Sequence, residues 1–184
     1  PCHGENRTEA KEYQEALKCF DKTMKRHIKN KPYSIVAFSQ GGVFLQLWME
    51  KQKKNLPEKQ ILLAPALMIP FDTIIHRVFD TLPMFFPIKS FSPKEFRRYE
   101  SLDVWEYRIL LHAIREYQQK DFKLKVPTLF IADPEDELVD VERMKKKLKV
   151  KANKEVLTFK LWHRKYLNFK YGLGRHHFIV HPKY

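Results

Sequence analysis

The chain has 184 residues, 43% of them hydrophobic, so it can bury one core and form one domain. Its 35 Lys and Arg against 22 Asp and Glu give a net charge of +13, which favours anionic partners but is spread along the sequence. No apolar run approaches the roughly 18 residues of a membrane span. The two cysteines form no CxxC pair. We therefore expect a soluble, cytoplasmic protein with two ordinary thiols.

The first part of the chain predicts a helix, a strand, a tight turn and a second helix. Apolar residues at helical spacing run through residues 7–30, and Pro32 then stops the helix. The apolar run at 33–38 predicts a short strand, and a helix is predicted to begin at Gln40. A second strand is predicted over 60–64, where continuous apolarity is typical of a parallel sheet covered on both faces.

Residues 67–123 interrupt this alternation with a stretch punctuated by proline and phenylalanine, which we predict to be mostly helical. The strand pattern returns at 126–132, and an acidic loop follows it. A helix is then predicted over 141–148 and a last strand over 155–161. Strands that alternate with helices predict an α/β fold with a mostly parallel sheet flanked by helices.

The sharpest local motif is Ala-Phe-Ser-Gln-Gly-Gly at residues 37–42, between a predicted strand and a predicted helix. This is the context of a nucleophile elbow, which holds a strained serine, here Ser39, at the top of a sheet. The turn needs small residues two positions away, and Ala37 and Gly41 are small. The backbone N–H of Gln40 would serve as an oxyanion donor. The motif by itself is equally compatible with a simple strand-to-helix turn.

A serine is a weak nucleophile at neutral pH, so it needs a base and an orienting acid, which follow it in the order Asp, His in this kind of site. Asp136 lies in the loop after the strand of residues 126–132, where the acid belongs. Asp133, Glu135 and Asp140 are rivals in the same loop. The other interpretation of the loop is an acidic cap for the next helix.

The candidate base is His176, in a segment after the last predicted strand. Of the five glycines, two lie at the serine motif and two, Gly172 and Gly174, come just before this histidine. His177 is the alternative base. His177 and His181 also have an i, i+4 spacing that suits zinc on a helix, but no third ligand with metal-site spacing stands nearby. We therefore predict no metal and no cofactor.

Taken together, these features resemble the α/β-hydrolases, in particular the serine aminopeptidase-like, lysophospholipase and monoacylglycerol lipase group. The resemblance is carried by three segments, AFSQGG (37–42), VPTLFIADPEDELVD (126–140) and GLGRHH (172–177). It implies one α/β-hydrolase domain over residues 1–184, in which residues 67–123 correspond to a helical lid. Residues 1–6 resemble a loop that strands precede in the family, so we expect this chain to lack the N-terminal strands and the second oxyanion donor.

The resemblance implies a serine hydrolase that cleaves carboxylic esters through a Ser-Asp-His triad and an acyl-enzyme. Aromatic residues in 67–123 favour a lipid-like ester, as in a lysophospholipase, monoacylglycerol lipase or carboxylesterase, and we assign Phe38, Phe85 and Phe86 to substrate binding. The alternative is a non-catalytic α/β-hydrolase-like binding or regulatory module, favoured by the expected loss of strands and by Ala37, where the family has glycine. Peptidase activity is implied by family membership alone.

The expected partner is a small-molecule ester, and the sequence leaves the oligomeric state open. The basic residues are best explained as solvated helix faces. Peripheral contact with an anionic membrane is the alternative, with Lys145, Lys146 and Lys147, together with Lys149 and Lys151, as the best-placed residues. No recognition helix or RNA-binding motif is evident, so we expect no nucleic-acid partner.

Overall fold

The computed structural model describes residues 12–28, 31–90, 99–120, 123–151 and 157–161, and all structural statements refer to them. They form five helices and six strands. In chain order these are α1 (Tyr13–His27), β1 (Ser34–Phe38), α2 (Gln40–Lys51), β2 (Lys59–Leu63), α3 (Asp72–Thr81), β3 (Pro87–Lys89), β4 (Ser101–Asp103), α4 (Val104–Gln119), β5 (Thr128–Ala132), α5 (Val141–Lys151) and β6 (Leu157–Leu161).

Four strands form one sheet in the order β1-β2-β5-β6, and every neighbouring pair is parallel. The predicted α/β fold with a parallel sheet is therefore confirmed. Because the strands are parallel, the loops that follow β1, β2 and β5 lie at the same edge, where ligands bind in open α/β sheets. The predicted serine turn and the predicted acid loop both belong to this edge, and only β2 separates their strands.

Helix α2 is the centre of the core. Eight consecutive residues, Gly42 to Met49, are buried, because this helix is apolar on nearly every side and packs between β1, α1 and α4. The sheet is covered less evenly. Burial alternates along β2 and β5, and Val36 of β1 is 61% exposed. Within the described residues, one face of the sheet is thus more deeply covered than the other, which differs from the two-sided burial that the sequence predicted.

A chain of buried polar groups joins α2 to the sheet. The Gln46 side-chain amide donates to Gln60 Oε1 at 2.8 Å, and Gln60 Nε2 donates to Thr128 Oγ1 at 2.7 Å. The Thr128 hydroxyl then donates to the carbonyl of Val126 at 2.8 Å. Each donor has an acceptor in this chain, so burial leaves none of these amides without a partner. The network aligns the helix with two adjacent strands.

Residues 67–123 contain α3, the antiparallel pair β3–β4 and α4. The short strands were not predicted. Helix α4 follows β4 directly and starts against the residues just before β3, since the N–H groups of Val104 and Trp105 donate to the carbonyls of Phe86 and Met84 at 3.1 Å. It also packs on α1, α2 and α3. The segment therefore supplies α4 to the helical layer over the sheet, and α3 packs on α4.

Three helices end against a cation that comes from another element. No glycine stands at these ends, where the C-cap residues are Gln52, Leu82 and Lys120. Instead, a basic side chain reaches the last carbonyls, which attract positive charge. The pairs are Lys125 with α2 (2.9–3.4 Å from the carbonyls of Met49, Glu50 and Gln52), Arg108 with α3 (2.7–3.0 Å from Phe79, Asp80 and Leu82) and Lys147 with α4 (2.8–3.4 Å from Tyr117 and Gln118).

Cys19, on α1, is disulfide-bonded, so the prediction of an ordinary thiol at this position is wrong. A disulfide requires Cα atoms about 4.4–6.8 Å apart, and the spacing of cysteines along a sequence does not report that distance. None of the described helices combines the length and the apolar character needed to cross a bilayer.

Helix α3 carries one buried histidine, His76, whose side chain is 4% exposed. Neither ring nitrogen has a hydrogen-bond partner among the described residues. Burial lowers the pKa of His76, and the positive charge of Arg115 lowers it further, while Asp80 opposes this effect. The folded protein therefore favours the neutral imidazole.

We expect the free energy of unfolding to fall as the pH drops below 6.5, because the unfolded chain then protonates His76 whereas the folded chain resists it. The loss between about pH 7.5 and about pH 5.5, measured by urea unfolding, should be smaller in His76→Leu. The exposed His27 gives the control, since His27→Gln should keep most of the loss. An undiminished pH dependence in His76→Leu would contradict the assignment.

Candidate active site

Ser39 lies between β1 and α2 with φ 49° and ψ −118°. A residue with a side chain is strained in such a conformation by about 1–3 kcal/mol, and the surrounding structure must hold it there. The Ser39 N–H donates to the carbonyl of Leu63 at 2.9 Å. Its carbonyl accepts N–H bonds from Gly42 and Ala66, each at 3.0 Å. The serine turn is thus fastened both to the new helix and to the end of β2.

The glycine pair after the serine has unequal roles. A Cβ atom on Gly42 would lie 2.6 Å from Pro65 Cβ and 3.2 Å from Pro65 Cα, whereas one on Gly41 would meet no heavy atom within 4 Å. The sequence pattern had placed the need for small residues at Ala37 and Gly41. Ala37 is buried, but the tight approach is at Gly42, where α2 meets the segment after β2.

Gln40 is the first residue of α2. Its backbone N–H belongs to the first helical turn, whose N–H groups have no intrahelical acceptor and form the positive end of the helix dipole. This is the position expected of an oxyanion donor, and the role of Gln40 stays a prediction.

The loop after β5 holds Asp136 in a tight turn. Its Oδ1 accepts N–H bonds from Leu138 at 2.8 Å and Val139 at 2.9 Å, and its own N–H donates to the carbonyl of Asp133 at 3.1 Å. The next two residues along the chain, Glu137 and Leu138, line the same cavity as Ser39. The structure therefore brings the acid loop and the serine turn together at one site.

The rival acids have other roles. Asp133 is 1% exposed, and its Oδ1 accepts the N–H of Glu135 at 2.9 Å, which stabilises the turn. Asp140 accepts the N–H of Arg143 at 2.9 Å and so caps the start of α5, as the alternative interpretation of the loop required. Glu135 is exposed. Capping therefore accounts for Asp140, and the role of Asp136 as the orienting acid stays a prediction.

The acid loop is also bonded to the segment that leads into α3. The Asp140 N–H donates to the carbonyl of Met68 at 2.9 Å. Arg143 contacts Asp72 at 3.1 Å and the carbonyl of Ile69 at 3.4 Å. The ion pair is partly exposed and contributes little stability by itself, about 0–1 kcal/mol. Its effect is to keep the first turn of α3 beside the acid loop.

A cavity of about 340 Å³ opens beside Ser39. Nine of its twelve lining residues are apolar, so the cavity suits an apolar group better than a charged one. Burial raises the pKa of Tyr107, one of the polar lining residues, to about 12, and the phenol is therefore neutral at neutral pH. The lining residues are Ser39, Ala66, Ile69, Pro70, Ile75, Phe79, Tyr107, Leu110, Leu111, Ile114, Glu137 and Leu138.

The phenylalanines assigned to substrate are not among these lining residues. Phe85 and Phe86 are 75% and 48% exposed, and Phe38 is half-buried at the end of β1. Their assignment stays a prediction. Phe79 and Tyr107, two of the aromatic residues of 67–123 on which the lipid-like substrate was predicted, do line the cavity, although they were not assigned to substrate individually. The stripe formed by Tyr107 and the apolar residues three, four and seven positions later was a readable signal for that assignment.

His176 and its rival His177 lie outside the described residues, as do residues 1–6. No cluster of three or more His, Cys, Asp or Glu side chains within the described part of the chain is arranged to hold a metal ion.

The sequence matches the family model of the FSH1 serine hydrolases over residues 2–164. The chain belongs to the FSH1 serine hydrolase family. No curated protein sequence is significantly similar to it.

Solved structures similar to this FSH1 family member include lipases and esterases. They include a monoacylglycerol lipase from Paleococcus ferrophilus, with a TM-score of 0.62, 14% identity, and coverage of 87% of this chain and 68% of that one. A soluble variant of monoglyceride lipase from Saccharomyces cerevisiae, solved with a substrate analog, has a TM-score of 0.64 and 12% identity over 84% and 62%. An esterase from Exiguobacterium antarcticum has a TM-score of 0.52 and 13% identity over 81% and 65%.

At such low identity, these similarities show the fold, and they confirm the α/β-hydrolase class that the sequence predicted. The chain spans between 62% and 68% of the length of these three structures.

We expect Gly42→Ala to lower the free energy of unfolding by about 1–3 kcal/mol, because the added methyl group would collide with Pro65. Gly41→Ala is the matched control. It adds the same atom one residue earlier, where there is space, and should leave stability unchanged or raise it by up to about 1 kcal/mol. Urea unfolding of both variants tests this. Equal effects at the two positions would contradict the close approach at Gly42.

The strain at Ser39 gives a second expectation. Ser39→Gly should be more stable than Ser39→Ala by about 1 kcal/mol, because glycine tolerates positive φ. At the exposed helical residue Lys18 the order should be reversed, with Lys18→Ala more stable than Lys18→Gly by about 0.5–1 kcal/mol. Chemical unfolding of the four variants measures both differences. The same order at both positions would show that Ser39 is not strained.

Proposed function

We propose that this chain carries the catalytic centre of an ester hydrolase with Ser39 as nucleophile, acting on a lipid-like carboxylic ester. The observation that carries the proposal is the conformation of Ser39 beside an apolar cavity, at the carboxyl edge of a parallel sheet. Strained residues that the surrounding bonds hold in place cluster at active sites. The same observation favours catalysis over the alternative of a non-catalytic binding module, which has no need of a strained serine.

In the proposed mechanism, Ser39 Oγ attacks the ester carbonyl carbon while His176 accepts its proton. Asp136 orients the imidazole and stabilises the imidazolium. The Gln40 N–H, at the positive end of α2, donates to the oxyanion of the tetrahedral intermediate. His176 then protonates the departing alcohol. Water attacks the acyl-enzyme with His176 as base, which releases the acid and restores Ser39. His177 is the alternative base.

The apolar walls of the cavity support an acyl chain as the group bound beside Ser39, since pockets bury apolar surface and use a few polar groups for orientation. Two similar structures are named as lipases of monoacylglycerol or monoglyceride, which supports the same substrate class. Monoacylglycerol lipase, lysophospholipase and carboxylesterase activity are the forms we propose. We also propose that residues 67–123 act as a lid, because α3 and α4 form walls of the cavity.

Two of the five lysines assigned to a membrane contact have partners within the protein, which weakens that proposal. The Lys147 ammonium donates to the carbonyl of Gln118 at 2.8 Å and lies 5.1 Å from the centroid of the Tyr117 ring. Lys145 pairs with Glu142 at 3.5 Å. The cytoplasmic location stays a prediction.

The test is covalent labelling of the natural full-length protein with a fluorophosphonate probe. We expect Ser39→Ala to abolish labelling, and Asp136→Asn to slow it by up to about 10⁴-fold through loss of imidazole orientation. Exactly one of His176→Ala and His177→Ala should abolish it, which identifies the base. The exposed neighbour Glu135→Gln is the control and should label normally.

Circular dichroism of every variant separates loss of chemistry from loss of folding. A folded, unsubstituted protein that neither reacts with the probe nor hydrolyses p-nitrophenyl esters would overturn the proposed hydrolase and favour the binding module.

A further inference from the structure

One face of α4 forms a long wall of the cavity. Tyr107, Leu110, Leu111 and Ile114 line it, at positions i, i+3, i+4 and i+7, so they lie along one side of the helix. Seven residues of α-helix rise about 10 Å. The cavity therefore has length as well as volume, and this shape suits a chain-like group.

The two ends of this wall differ. The Tyr107 end is close to the start of α4, which is bonded to Met84 and Phe86, just before β3. The other end approaches the helical layer over the sheet, where Lys147 of α5 contacts the carbonyl of Tyr117. Ile114 at that end is fully buried. Because Ser39 lines the same cavity as this face of α4, a chain attached to Ser39 can lie along the wall.

An aromatic pair stands at the Tyr107 end. The rings of Phe79 on α3 and Tyr107 on α4 have centroids 5.4 Å apart and are tilted by 53°, and both side chains line the cavity. Arg108, next to Tyr107, donates to the carbonyls of Phe79, Asp80 and Leu82 at 2.7–3.0 Å. The last turn of α3 is thereby fixed to α4, and the aromatic pair forms a firm wall.

The cavity volume gives an estimate of how many atoms of a bound acyl chain the cavity can hold. Taking about 30 Å³ per heavy atom, as for water in the liquid, a cavity of about 340 Å³ holds about 11 non-hydrogen atoms. Ligand pockets range over about 300–1,000 Å³, so this one is at the small end. By this estimate the cavity accommodates a chain of about ten carbons.

We propose that Phe79 and Tyr107 limit the acyl group of the substrate to about ten carbons, with Arg108 as a positioning residue that holds Phe79 in place. This selectivity for medium-chain esters rests on the proposed ester hydrolysis at Ser39. The limit itself is a property of the cavity, and it can be measured without catalysis.

The experiment measures binding of 1-alkanols to the full-length Ser39→Ala protein, by displacement of a fluorescent apolar dye. Each added methylene contributes about 0.8 kcal/mol, which is about a fourfold gain in affinity. We expect this gain up to about ten carbons and a plateau beyond it. With Phe79→Ala added, the plateau should move about three carbons further, because the ring no longer blocks the cavity.

Phe20→Ala is the matched control. Phe20 is a half-buried phenylalanine that packs on Phe44 and Trp48, with ring centroids 6.3 Å apart, and it does not line the cavity. It should lower stability without moving the plateau. Phe79→Leu, a milder change, should move the plateau by about one carbon if Phe79→Ala fails to fold. Arg108→Ala should move it in the same direction, which a purely structural role of Arg108 would not do.

A folded Phe79 variant whose plateau stays at the length found with Phe79 intact would overturn the proposal, as would affinity that rises without limit in the protein that retains Phe79. The two proposals can fail separately. A length limit in alkanol binding together with no ester hydrolysis by the protein that retains Ser39 would overturn the proposed function and leave the chain-length limit standing.

Discussion

The site depends on one strained residue and the bonds that hold it. Ser39 has a positive φ that costs free energy, and three backbone hydrogen bonds to Leu63, Gly42 and Ala66 keep it in place. Those bonds form only if β1 and β2 are in register and α2 begins at once. The buried amides of Gln46 and Gln60 help to hold α2 against β2 and β5. The core is thus arranged to hold a turn that would otherwise relax.

The acid loop and the segment before α3 form a second connected unit. Asp140 bonds to the carbonyl of Met68, and Arg143 bonds to Asp72, although about 70 residues separate these partners along the chain. These contacts therefore hold the first turn of α3 beside the loop that carries Asp136. Helix α3 also supplies walls of the cavity, so the shape of the cavity and the position of the acid depend on the same contacts.

The sequence predicted the parallel α/β sheet, the serine turn and the acid loop, because each follows from local patterns of apolarity and from short motifs. The cavity walls were harder to predict. The exposed Phe85 and Phe86 were assigned to substrate, whereas Phe79 and Tyr107 line the cavity, since which side of α3 and α4 faces Ser39 is decided by tertiary packing. The tight approach at Gly42 is likewise a distance across the fold, which spacing along a chain does not report.

The cations at the ends of α2, α3 and α4 give the positive charge of the chain a second meaning. With only five glycines in the sequence, these helices end without the usual permissive residue, and Lys125, Arg108 and Lys147 satisfy the terminal carbonyls instead. Part of the net positive charge therefore stabilises helix ends within the protein and does not serve to attract anionic partners. Acetylation of Lys125 or Lys147 would remove both a positive charge and the cap of a helix. Reagents that neutralise lysine would therefore destabilise the fold itself as well as change the surface charge.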